Sequence, residues 1–147
     1  MTKNWKMIVI PSASIYFDEV DKQYLVQPAV PSSLGGSREF GEPFLVAEMD
    51  FDSKIAEATL SSLENYLKTK YDPALEVRRS DKEQRDFAKR HKWVCVFRLP
   101  SGQLEVSAGQ RRGGGYHGVK NGDTLLEAGS TREDLTRAIR EAFRKAK

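Results

Sequence analysis

The stretch Trp93-Val94-Cys95-Val96-Phe97-Arg98-Leu99-Pro100-Ser101-Gly102-Gln103-Leu104-Glu105-Val106-Ser107 decides the fold class. Its first five residues are β-branched or aromatic around a cysteine, which suits a pleated, half-buried strand. Pro100-Ser101-Gly102-Gln103 is a turn, and Gln103 to Ser107 alternates polar with apolar as a return strand does. The pair therefore predicts an antiparallel hairpin. Upstream, Ser14-Ile15-Tyr16-Phe17 and Tyr24-Leu25-Val26-Gln27 flank the turn residues Asp18 to Lys22 and predict a meander. Trp5 to Ile10, stopped by Pro11, reads as a further strand, and Phe44 to Met49 as another. Thr124 to Glu127 is the last of these short runs.

Two segments carry the helical period. Ala56, Leu60, Leu63 and Leu67 fall on one face and predict a helix over about 54–68, capped by Asp52 or Ser53 and ended by Tyr71-Asp72-Pro73. Leu135, Ala138, Ile139, Ala142 and Phe143 form a cleaner stripe, opened by Ser130-x-x-Glu133 in capping-box form, with basic residues in the last turn. Between them, Ser80-x-x-Glu83 starts a mostly polar helix whose apolar residues are chiefly Phe87 and Ala88, placing it on the surface. Strands in runs with segregated helices predict a single α+β domain over 1–147: a mainly antiparallel sheet with two principal amphipathic helices packed on one side.

The segment Pro28 to Pro43 holds three prolines and three glycines and reads as a long disordered or covering loop. A second glycine-rich stretch, Gly109 to Gly118, reads as an exposed, mobile loop between strands, with Asn121-Gly122 as another turn.

Composition excludes several function classes. The chain has 147 residues, 24 Lys and Arg against 21 Asp and Glu, one cysteine and two histidines. One cysteine excludes an internal disulfide framework or a cysteine-cluster metal site. No apolar run approaches the roughly 20 residues of a membrane helix, and the N-terminus lacks a signal-peptide pattern, so a cytoplasmic protein is expected. The net charge of +3 is uneven: residues 1–77 hold 7 basic and 12 acidic side chains, and residues 78–147 hold 17 and 9. The basic run Arg78 to Lys92 alternates signs at helical spacing, as a solvated helix face does.

No catalytic constellation emerges. His91 and His117 suit general acid–base work only if they meet, and His91 lies in a basic run while His117 lies among glycines. Asp50 and Asp52 resemble a metal-binding pair, yet capping a helix explains Asp52. Cys95 in an apolar strand reads as an inert core thiol. The glycines of Arg111-Arg112-Gly113-Gly114-Gly115-Tyr116-His117 lack the P-loop form, and no long helix opens behind them to lend its N-terminus to a phosphate. Paired arginines and a tyrosine do suit a binding loop.

The plan of short strands, the helix opening at Asp50-Phe51-Asp52-Ser53-Lys54-Ile55-Ala56-Glu57-Ala58, the hairpin around Trp93, and the final Ser130-Thr131-Arg132-Glu133-Asp134-Leu135-Thr136-Arg137-Ala138-Ile139 helix resembles the small immunity proteins of bacterial contact-dependent growth inhibition systems. The resemblance covers the chain from Phe44 onward and rests on caps and packing patterns. It implies a cytoplasmic, non-enzymatic inhibitor without cofactor or metal, whose partner is the C-terminal domain of a cognate toxin, a nuclease among the candidates. Partner contacts would come from the acidic half (Asp18, Glu19, Asp21, Glu39, Glu42) or from the basic loop (Arg111, Arg112, Tyr116, His117). The alternative reading is a nucleic-acid-binding module using the helix from Arg78 to Lys92 and the loop from Arg111 to Lys120.

Overall fold

A computed structural model describes residues 10–32 and 37–147. The strand expected over Trp5 to Ile10 and the Ser33-Leu34-Gly35-Gly36 part of the expected loop therefore fall almost entirely outside the described residues. Among the described residues the principal sheet has six strands in the order β5-β2-β1-β6-β7-β8, formed by β1 (Ser12–Asp18), β2 (Gln23–Gln27), β5 (Phe44–Ala47), β6 (His91–Arg98), β7 (Leu104–Arg112) and β8 (Gly115–Leu126). Every neighbouring pair in it is antiparallel. The chain is α+β, with α1 (Phe51–Asn65) and α3 (Arg132–Lys145) packed against one face. Among the described residues no helix is long and apolar enough to cross a membrane.

Strand alternation builds two different faces. Ala13, Ile15, Val26, Val46, Val94, Val96, Leu104, Val106 and Ala108 point to the helical face and are buried against Ile55, Leu63, Leu135, Ile139 and Phe143. The whole stripe foreseen on α3 is buried. Its cap lies one residue later than expected: Thr131 accepts from the Asp134 amide, and the Asp134 carboxylate accepts from the Thr131 amide, while Ser130 donates back to the Glu127 carbonyl. α1 also departs from the expectation. It starts at Phe51 without a side-chain cap and ends at Asn65, so Leu67 lies beyond it, 65% exposed. Phe51 opens the buried face because Tyr24 packs against it with tilted rings, centres 4.8 Å apart. Asp52 instead pairs with Arg140 of α3.

The opposite face carries Ser14, Tyr16, Asp18, His91, Trp93 and Cys95, and it is covered rather than open. α2 (Asp81–Arg90), held by the capping box of Ser80 and Glu83, lays Phe87 against Tyr16. The expected polar surface helix thus has a packing role. The segment 28–43 is not simply a loop: β3 (Ala29–Pro31) and β4 (Ser37–Glu39) pair within it and lie over the same face, where Ser37 bonds to Ser12 and to the buried Tyr66. Nor is the stretch 109–118 a loop. Two residues, Gly113 and Gly114 with φ of +60° and +85°, close a tight hairpin between β7 and β8. Both centres at positive φ match the right-handed twist of the flanking strands, which glycine adopts without steric penalty. Asn121-Gly122 lies inside β8, where pairing jumps from Gly109↔Gly118 to Ser107↔Asp123 across a bulge.

Candidate partner-binding surface

The covered face is organised by an aromatic cluster. Phe87 meets Tyr16 edge-on at 4.8 Å and stacks on His91 at 3.9 Å, and Tyr116 lies 5.4 Å from Trp93 and 5.9 Å from Tyr16. The guanidinium of Arg79 sits 3.8 Å above the Phe87 ring. Polar tips are paired internally: Trp93 Nε1 donates to Ser14 Oγ at 3.1 Å, and Tyr16 donates to Glu39. Burial and the neighbouring Glu39 carboxylate raise the Tyr16 hydroxyl well above its ordinary pKa. Burial lowers His91, so its imidazole stays neutral near pH 7.

The sequence candidates separate into internal and external residues. Arg111 Nε donates to the His91 carbonyl at 3.0 Å and its guanidinium pairs with Glu19. Tyr116 donates to the same carbonyl at 2.8 Å, and burial pushes its hydroxyl up to about 12. Glu39 accepts from Tyr16 and lies 3.8 Å from Arg79. Arg112, His117 and Glu42 are exposed. Alternation along the ribbon turns His117 away from Tyr116, so the structure does not bring it to His91.

The acidic half is not a free surface. Asp18 is 3% exposed and accepts from Arg90 Nε and Nη2, both at 2.7 Å, and from the amides of Val20 and Asp21. These donors hold its carboxyl well below the usual carboxylate range. Asp21 shares the Arg90 guanidinium at 2.8 Å. Asp18, Glu19, Asp21 and Glu39 therefore tie the acidic half to the basic half through ion pairs, while Glu42 is exposed.

Asp50 pairs with Lys54 at 3.5 Å rather than with Asp52. Among the described residues no three His, Cys, Asp or Glu side chains gather as metal ligands would. Cys95 is buried, and its thiol is pushed up to about 12, which keeps it protonated and unreactive.

One cluster was not foreseen. Glu76 Oε1 accepts from Arg38 Nη1 at 2.6 Å, while its Oε2 accepts from Arg78 Nη2 at 3.0 Å and from the Tyr71 hydroxyl at 2.8 Å. The guanidiniums hold this carboxyl at about 2. Around it lies a groove of about 470 Å³. No local pattern links Arg38 to a segment 38 residues away; the Phe40 to Glu76 bridge brings them together.

No known protein family matches the sequence, and no curated protein does. Solved structures share its fold. A protein of unknown function from Neisseria meningitidis superposes with a TM-score of 0.72 over 100% of both chains at 12% identity. A chain of the CdiA-CT/CdiI toxin and immunity complex from Yersinia pseudotuberculosis superposes with a TM-score of 0.70, covering 97% of this chain and 100% of that one, at 11% identity. At such identities the likeness is one of fold, and the fold is that of a chain found in a toxin and immunity complex.

Proposed function

We propose that this chain is an immunity protein that neutralises a cognate toxin domain by stoichiometric binding. The observation that carries the reading is the whole-chain fold likeness to a component of a toxin and immunity complex. The side chains agree with it. His91 is buried and neutral, His117 faces elsewhere, and Cys95 is a sealed thiol, so the groups best suited to catalysis are each placed for packing or solvent. Binding needs no reacting group; it needs a few anchors ringed by complementary charge. Of the sequence candidates, Arg112, His117 and Glu42 are exposed, and this reading assigns the partner contact to them, while Arg111, Tyr116 and Glu39 are hydrogen-bonded within the molecule.

Co-expression with the toxin domain encoded beside this chain tests the reading. Restored growth together with co-purification of both chains is expected, and loss of either outcome overturns it. A nucleic-acid-binding reading draws on Arg85, which lies along the hairpin at Gly114, and on the exposed Lys89 and Arg112. It requires binding to generic RNA that weakens steeply with salt, whereas the immunity reading requires little RNA binding at any salt.

A further inference from the structure

We propose that Arg38 and Arg78, held side by side by Glu76, form a docking point for a carboxylate side chain of a protein partner. The geometry is that of a prepared site. One carboxylate takes a single donor nitrogen from each guanidinium, at 2.6 Å from Arg38 and 3.0 Å from Arg78, and the Tyr71 hydroxyl fixes its second oxygen at 2.8 Å. Arg38 Nε is in turn held by Ser32 Oγ at 3.0 Å. The terminal nitrogens left over carry N–H groups that none of these bonds uses, and two planar forks fixed in this way suit an incoming carboxylate.

Charge argues for the same occupant. Within the triad two guanidiniums face one carboxylate, one positive charge in excess, while Glu39, Arg79 and Asp81 line the adjoining groove beside Arg38. The residues outside the described ones, 1–9 and 33–36, include no Asp or Glu, so the balancing anion is not among them. Both cations reach the surface, with side chains 44% and 72% exposed, while Glu76 beneath them is 6% exposed.

The rim has the composition of an interface. Tyr71 is 44% exposed above the buried Phe40, ring centres 6.1 Å apart, and Leu75 is 52% exposed on the same segment. Arginine and tyrosine are the residue types enriched among binding anchors, and Leu75 adds exposed apolar surface beside them. The occupant is an acidic residue with an apolar neighbour, carried on a protein segment. This assignment rests on the immunity reading only for the identity of that protein.

The test uses the full chain with isotope-labelled arginine side chains and the peptide acetyl-Glu-Leu-Glu-amide as probe. Saturable shifts of the Arg38 and Arg78 Nε–H signals are expected. Arg78→Gln, which alters the more exposed cation, and the Arg38→Gln/Arg78→Gln pair should each weaken binding, the pair by about tenfold, with circular dichroism unchanged and Arg144→Gln, on the exposed side of α3, without effect. Unmoved arginine signals overturn the proposal. So does an equal response to inorganic phosphate at the same concentration, which marks a general anion trap, or a larger response to a short RNA. In cells, failure of the wild-type chain to protect defeats the immunity reading but leaves the peptide titration to decide this site. Protection by the wild-type chain that persists undiminished in the double variant removes the cluster from the toxin interface.

Discussion

Replacing Asp18 by asparagine probes the joint between the acidic and basic halves of the chain. The carboxylate accepts two charge-assisted bonds from Arg90, both at 2.7 Å, and two backbone amides at 2.9 and 3.1 Å, while being 3% exposed. Asparagine keeps one oxygen for the amides but turns an NH₂ group toward the guanidinium. Bonds to charged groups contribute roughly 1.5–3 kcal/mol each, and stranding a fully buried charge costs roughly 3–5 kcal/mol. Arg90 is not stranded, because its side chain is 40% exposed and keeps Asp21. The expected loss at pH 7 is therefore about 2–3 kcal/mol, or roughly 5–10 °C in Tm for a chain of this size. The pH dependence fixes the cause. Asp18 titrates well below its ordinary value when folded, so its contribution is complete above the unfolded value of about 3.9 and is lost as pH falls toward the folded one. Urea titrations should show the gap between wild type and Asp18→Asn narrowing by about 1 kcal/mol between pH 7 and pH 3. A gap under about 0.5 kcal/mol at pH 7, or one that does not narrow, refutes the argument.

The position of the α3 cap predicts that Thr131→Ala lowers stability by about 1 kcal/mol and Ser130→Ala by distinctly less, measured by urea unfolding. Ser62 Oγ is buried without a hydrogen-bond partner among the described residues, so Ser62→Ala should be neutral or stabilising by up to about 1 kcal/mol; clear destabilisation would show that the hydroxyl is satisfied in solution. A Cβ at Gly109 would lie 2.3 Å from Trp93 Cε3 and 3.1 Å from the Trp93 carbonyl. Gly109→Ala must then displace the indole at a cost of about 1–3 kcal/mol, with altered tryptophan emission, and an unchanged spectrum and Cm would contradict the packing. Cys95 should resist a thiol reagent at pH 8 in the native protein and react at once in denaturant.

Where side-chain period carries the structure, the sequence was legible. Val94 and Val96 against Leu104, Val106 and Ala108 define the central hairpin, and the stripe from Leu135 to Phe143 defines the last helix, because burial on one face imposes those spacings. Legibility failed where backbone geometry or distant partners decide. Glycines 113 to 115 have no side-chain period, so a hairpin set by two positive φ angles reads as a loop, and the Asn121-Gly122 pair that signals a turn sits in a bulge. Phe51 looks like part of a helix cap until Tyr24 is placed against it. The acidic residues look free for the same reason. Asp18 and Arg90 are 72 positions apart and Glu19 and Arg111 are 92 apart, so only the assembled sheet reveals that they neutralise one another.

That neutralisation sharpens the functional account. Part of the opposed charge of the two halves is matched within the molecule, through Asp18 and Asp21 with Arg90, Glu19 with Arg111 and Asp52 with Arg140, while exposed charges of both signs remain, Arg112 and Lys89 as well as Glu42, Glu57 and Glu64 among them.

The most direct test of the central claim is to purify this chain mixed with the toxin domain encoded beside it and to weigh the product by light scattering. The account predicts one stable complex of stoichiometric composition in which the toxin's activity is suppressed. Two separate monomer peaks with full toxin activity would contradict it.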